Sequence, residues 1–197
     1  MSLILAINVP SCIVCATDKR TTFIDAQMRI DYTDETKKIF KINEQMILMT
    51  CGSNLVNHTL TISECIDNFV YDNKDNLNDE RITPNLLLKY LNSKNCISNI
   101  QFILCGYNNL KKSFECTFST LGDINFECKD DNIFTLYSLG MKEVCSAIST
   151  DINFTYLSKD EAIRLAKLCM KATIDAYDFK SQNGTMSRKR THKIDKF

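Results

Sequence analysis

The sequence predicts an α+β fold in which antiparallel sheets pack together under helices. Three observations carry that expectation. Short β-branched segments come in pairs around turn residues at 3–18, 38–51 and 99–138; helical periodicity is confined to blocks between and after them; and the regular βα alternation that builds a doubly wound parallel sheet is missing. At 197 residues and without a linker-like stretch, the chain is expected to form one domain over 1–197, with 180–197 as a basic C-terminal strand or tail.

The first pair is LILAINV (3–9) and CIVCATD (12–18), split by Pro10-Ser11, which predicts a hairpin. The second is KIFKI (38–42) and QMILMTC (45–51), with Asn43-Glu44 as the turn and Gly52-Ser53 as the stop. From Ser53 to about Asp72, residues Leu55, Thr59, Ile62, Ile66, Phe69 and Val70 recur every three or four positions and predict an amphipathic helix. The Asn- and Asp-rich stretch 71–80 reads as a surface loop. Thr83 before Pro84 then predicts a capped helix through Leu86, Leu87, Tyr90 and Leu91. Strands are expected at 99–106 and 113–119 around a Tyr107-Asn108-Asn109 turn, and again at 123–128 and 133–138. A short helix should follow Gly140. A longer one should begin at Ser158, where Glu161 completes a capping box, with Ala162, Leu165, Ala166, Cys169 and Ala172 as its buried stripe.

Composition removes several function classes. Lys plus Arg and Asp plus Glu both total 24, so no net field attracts nucleic acid or an anionic membrane. No apolar run approaches the roughly 18 residues a membrane span needs. With five glycines and no phosphate loop among them, nucleotide binding is not expected, nor is any other cofactor. The N-terminus lacks a basic region before its apolar run, which predicts no secretory signal; the ten cysteines are then expected to be reduced core thiols, and the three Asn-x-Thr matches at 57, 153 and 183 unused. The partner most consistent with a neutral surface is another protein.

Cys12 and Cys15 form a CxxC, but residues three apart on a strand point to opposite faces, and no second pair or nearby histidine completes a tetrahedral metal site. His58 and His192 carry no triad signal and read as surface residues. The run Arg188-Lys189-Arg190-Thr191-His192-Lys193 reads as a solvated basic tail. There remain Ser2, Asp18 and Lys38: a potential nucleophile at the chain start, a carboxylate ending the second strand, and a lysine opening the third.

The context of those three residues resembles the proteasome family of N-terminal-nucleophile hydrolases. The pieces that carry the likeness are LILAINVPSCIVCATDKR, KKIFKINEQMILMTCGS, ITPNLLLKYL, FILCGYNN and LSKDEAIRLAKLCMKA, in family order up to about residue 177. The resemblance implies a four-layer αββα sandwich of two antiparallel sheets flanked by helices. It also implies a chemistry in which an N-terminal threonine, exposed by loss of a propeptide, attacks with its hydroxyl while its own α-amine serves as base. Here that threonine falls on Ser2, only Met1 precedes it, and no propeptide is expected.

The family's carboxylate and lysine fall on Asp18 and Lys38. Its later serine meets Leu139 within Ser138-Leu139-Gly140, and its late aspartate motif meets Asp175-Ala176-Tyr177 with Asp178 in place of the partner serine. Leucine neither donates nor accepts a hydrogen bond. The resemblance therefore implies a subunit without catalytic residues of its own, in which Ser2, Asp18 and Lys38 are vestigial. The opening, with Met1, Ile4-Leu5, Ile7, Pro10 and Ala16-Thr17-Asp18, is similar to that of the inactive subunit usually placed fourth in the β ring of the 20S core. The implied partners are other α and β subunits in stacked seven-membered rings, with unfolded polypeptide in transit; the implied setting is cytoplasmic and nuclear. The alternative is an active serine peptidase using Ser2 after Met1 is removed.

Overall fold

The computed structural model describes residues 3–19, 21–24, 30–33, 35–128, 135–140 and 142–183. Their strands are β1 (Leu3–Val9), β2 (Cys12–Thr17), β3 (Thr21–Ile24), β4 (Ile30–Thr33), β5 (Ile39–Lys41), β6 (Met46–Gly52), β7 (Ile100–Tyr107), β8 (Ser113–Ser119), β9 (Ile124–Cys128) and β10 (Leu136–Gly140). The helices are α1 (Ile62–Asn73), α2 (Ile82–Ser93), α3 (Lys142–Ser149) and α4 (Lys159–Asn183), with a 3-10 turn at Phe154–Tyr156.

β1 explains the architecture. It is buried at every position, and apolar at all of them but Asn8, because both its faces are covered. Leu3, Leu5, Ile7 and Val9 point one way, into a layer with Cys145 of α3 and Ala162, Leu165, Ala166 and Cys169 of α4. Ile4 and Ala6 point the other way, against Met49 and Cys51 of β6 and Ile103 and Cys105 of β7. The alternate residues of those partner strands, Leu48, Phe102 and Leu104, pack with Phe40, Phe114 and Cys116 beneath α1 and α2. The result is helices, sheet, sheet, helices, the αββα sandwich expected.

The sheet containing β1 has the order β10-β1-β2, the other the order β5-β6-β7-β8-β9, and β3-β4 is a separate hairpin; every pairing is antiparallel. Asn8 of β1 ties the sheets across the interlayer, its Nδ2 donating to Ser113 Oγ of β8 at 2.8 Å.

Five boundaries differ from expectation. The helix anticipated from Ser53 begins at Ile62, because Asn57 Oδ1 accepts the amides of Thr59 and Leu60 in a turn, and Thr61 with Glu64 forms a capping box that starts α1. The polar loop at 71–80 is shortened by α1, which runs to Asn73, and pinned by fully buried Leu77, whose carbonyl accepts from Asn43 Nδ2 at 2.6 Å. The anticipated Thr83 cap is supplied instead by Asp79, whose carboxylate accepts the amides of Arg81 and Ile82; Thr83 is buried inside α2 and its hydroxyl donates to the Asp79 carbonyl. α4 extends through Asn183, so residues 180–183 are helical rather than tail; the remainder of the expected tail, with its basic run and His192, lies outside the described residues. The strand expected at 133–138, of which 133 and 134 lie outside the described residues, continues to Gly140 as β10, and the β3–β4 hairpin was not anticipated.

Candidate functional site

The β1–β2 hairpin returns the chain so that Thr17 stands opposite Ile4 and Asp18 falls beside Leu3, the first described residue. Asp18 is held twice over there. Its amide donates to the Leu3 carbonyl at 3.2 Å, and its Oδ1 accepts the Leu3 amide at 2.7 Å. From the other sheet, Lys38 precedes β5, its carbonyl accepting the Thr50 amide at 3.0 Å. Its ammonium reaches Asp18 Oδ2 at 3.0 Å, with side-chain exposures of 5% for Lys38 and 10% for Asp18. One carboxylate thus fixes the start of β1 with one oxygen and neutralises a buried lysine with the other. In such surroundings neither charge is tolerable alone.

Cys51, near the end of β6, completes the apolar floor. Burial pushes its thiol up to about 12, with Lys38 pulling it down and Asp18 pushing it up, so at neutral pH it is a thiol and not a nucleophile. Its Sγ donates to Gln101 Oε1 at 3.6 Å.

The third side of the site is β10. Its register sets Gly140 opposite Leu3 and Leu139 opposite Ile4. Leu139 and Tyr137 face the interlayer, whereas Leu136 packs toward α3 and α4. Strand alternation therefore gives Ser138 the face of Leu136, turned away from the interlayer. Leu139, a hydrocarbon, thus faces the interlayer, and the hydroxyl of its neighbour Ser138 does not.

Among the sequence-predicted residues, Asp18 and Lys38 are brought together; Ser2 lies outside the described residues. Asp175 is exposed on α4, and Asp178 falls within the same continuous helix rather than at a helix end. His58 is exposed, in the turn before α1. Cys12 and Cys15 pack into different layers, toward α4 and between the sheets respectively. Two participants were missed: the Leu3 amide, because backbone partners leave no mark on side-chain pattern, and Cys51, because a thiol ending an apolar strand carries no signal of the charge pair beside it. Among the described residues, no cluster of acidic, His or Cys side chains could hold a metal ion, and no helix is long and apolar enough to cross a membrane.

The family model described as proteasome subunit matches residues 2–187. The chain belongs to the proteasome family. Its fold agrees with solved structures of that kind. An Anbu (ancestral beta-subunit) from Yersinia bercovieri superposes with a TM-score of 0.67 at 14% identity, over 88% of this chain and 75% of that one. A Gly-1 mutant of Anbu from Hyphomicrobium sp. strain MC1 gives 0.66 at 14% identity, over 89% and 76%. At such identities the likeness concerns the fold. No curated protein matches the sequence. Proteasome-family proteins assemble into stacked rings, and threonine peptidases are among them.

Proposed function

We propose that this chain is a non-catalytic structural subunit of a proteasome-type ring, of the kind that stands fourth among the β subunits of a 20S core. It walls the degradation chamber and contacts neighbouring α and β subunits, while unfolded polypeptide passes by. The observation that carries the reading is the placement of Leu139. It occupies the interlayer face beside the start of β1, where the family's reaction needs a hydroxyl, and Ser138 is turned to the other face. The Asp18–Lys38 pair then serves as a structural tie, anchoring the Leu3 amide and joining β2 to the second sheet. Cytoplasm and nucleus are the proposed setting, shared with the ring.

One observation favours the other reading, an active peptidase acting through Ser2: the carboxylate–lysine pair is intact and buried. Ser2→Ala in the assembled complex separates the two. The structural reading expects unchanged peptide hydrolysis and normal ring assembly; loss of one hydrolytic activity with rings intact would establish the peptidase.

A further inference from the structure

Across the two sheets, Cys15 of β2 faces Cys105 of β7. Their Sγ atoms lie 3.4 Å apart although the residues are 90 positions apart in sequence. Cys15 is half-buried on β2, the outer strand of its sheet among the described residues, whereas Cys105 is 1% exposed. The cross-strand partner of Cys15 is Ala6, which offers only a methyl group between the sheets. Cys105 is held firmly. It precedes Gly106, where a Cβ would fall 1.9 Å from the Gln45 carbonyl oxygen, so β7 and the β5–β6 turn are in direct backbone contact at that point. Cys12 faces the α4 layer and does not compete for Cys15.

We propose that Cys15 and Cys105 are an oxidative modification site, at which a hydroperoxide converts the facing thiols into a disulfide that staples the two sheets. In the first step the Cys15 sulfur attacks a peroxide oxygen. A sulfur–oxygen bond forms, the oxygen–oxygen bond breaks, and the departing oxygen leaves as water or alcohol with the Cys15 proton, so Cys15 becomes a sulfenic acid. In the second, the Cys105 sulfur attacks the Cys15 sulfur; the sulfur–sulfur bond forms, the sulfur–oxygen bond breaks, and the hydroxide leaves as water with the Cys105 proton. Two thiols lose two electrons and the peroxide gains them.

The roles follow from access and charge. Cys15 is the member that solvent reaches. Cys105 keeps its proton: the hydrogen bond with Cys15, burial, and the charges of Cys15 and of its cross-strand neighbour Glu115 all push its thiol above the ordinary value. A second facing pair, Cys145 of α3 and Cys169 of α4, hydrogen-bonds internally and is wholly buried where the two helices pack on β1, closed to solvent in the folded chain.

The test treats the full chain with hydrogen peroxide under native conditions, blocks free thiols, and maps peptides before and after reduction. The expected result is a reducible cross-link joining the peptides of Cys15 and Cys105, loss of the mass of two hydrogens, and a higher melting midpoint that reduction reverses. Cys105→Ser should instead leave Cys15 as a sulfenic acid trapped by a 1,3-dione. The proposal is overturned if wild-type Cys15 oxidises to sulfinic acid without cross-linking, if it links to Cys12, or if Cys145 and Cys169 link first. Because these readouts come from the wild-type chain, they stand even where a variant folds poorly.

Discussion

Asp18 and Lys38 stand 3.0 Å apart between the two sheets, almost closed to water, and the same carboxylate receives the Leu3 amide at 2.7 Å. At this pair a charge couples β2, β5 and the start of β1. Its worth to the fold lies less in the attraction than in the cost of separating the partners.

Lys38→Met leaves Asp18 charged and enclosed. It should lower stability by about 3–5 kcal/mol, read as a drop in the urea midpoint. Adding Asp18→Leu removes the stranded charge and should restore all but about 1–2 kcal/mol, the remaining loss reflecting the unpaired Leu3 amide. A double variant no more stable than the single one would contradict this account of the pair.

Buried thiols predict an alkaline limit. Burial raises Cys51 and Cys116 to about 12 and Cys65 to about 11. A folded value above the unfolded one, about 8.5, means the folded state holds protons that the unfolded state has released. The associated stability is complete below about pH 8.5 and is lost progressively as pH rises toward the folded values. Urea midpoints should fall from pH 8 upward, and Cys116→Val should flatten that fall. A midpoint flat to pH 10.5 would exclude it.

The start of α1 predicts an acid-side effect. Glu64 sits below the usual carboxylate range because the Thr61 hydroxyl and amide donate to it. A depressed folded value means its stabilising contribution is present above the unfolded pKa and disappears as pH falls through the folded one. Thr61→Ala removes the hydroxyl donor and keeps the amide, so the Glu64 titration, followed by NMR, should move up toward the ordinary glutamate range without fully reaching it, and amide exchange in the first turn of α1 should speed up.

Much of the fold was legible because its signals are local. Pro10-Ser11 between two β-branched runs gives the first hairpin, and Ser158 with Glu161 gives the start of α4, where the predicted capping box is present. Thr61 and Glu64 carry the same signal, yet the periodicity of Leu55 and Thr59 outweighed it and placed the helix too early. Leu77 shows the limit of composition: a polar stretch can bury one leucine completely if a distant side chain, here Asn43, holds its backbone. The site was less legible. Asp18 and Lys38 are ordinary residues whose pairing depends on two sheets closing over each other, and only family resemblance picked them out. The facing of Leu139 followed from strand alternation once its register with Ile4 was known.

Gly106 reports on the contact between β7 and the β5–β6 turn. Gly106→Ala would place its Cβ 1.9 Å from the Gln45 oxygen and 3.1 Å from Met46 Cα, and backbone must move to relieve it. A loss of about 3 kcal/mol is expected, read by thermal melting. An unchanged midpoint would mean that the strand and turn are not in contact as described.

The proposed inertness of the site is tested most directly by intact-mass measurement of the native protein after exposure to a peptide electrophile that traps N-terminal nucleophiles. On the proposed reading of Leu139, the mass should remain unchanged and Ser2 unmodified, while active threonine subunits of the proposed ring in the same preparation are labelled. A stable adduct mapped to Ser2 would contradict the structural role and establish a working peptidase.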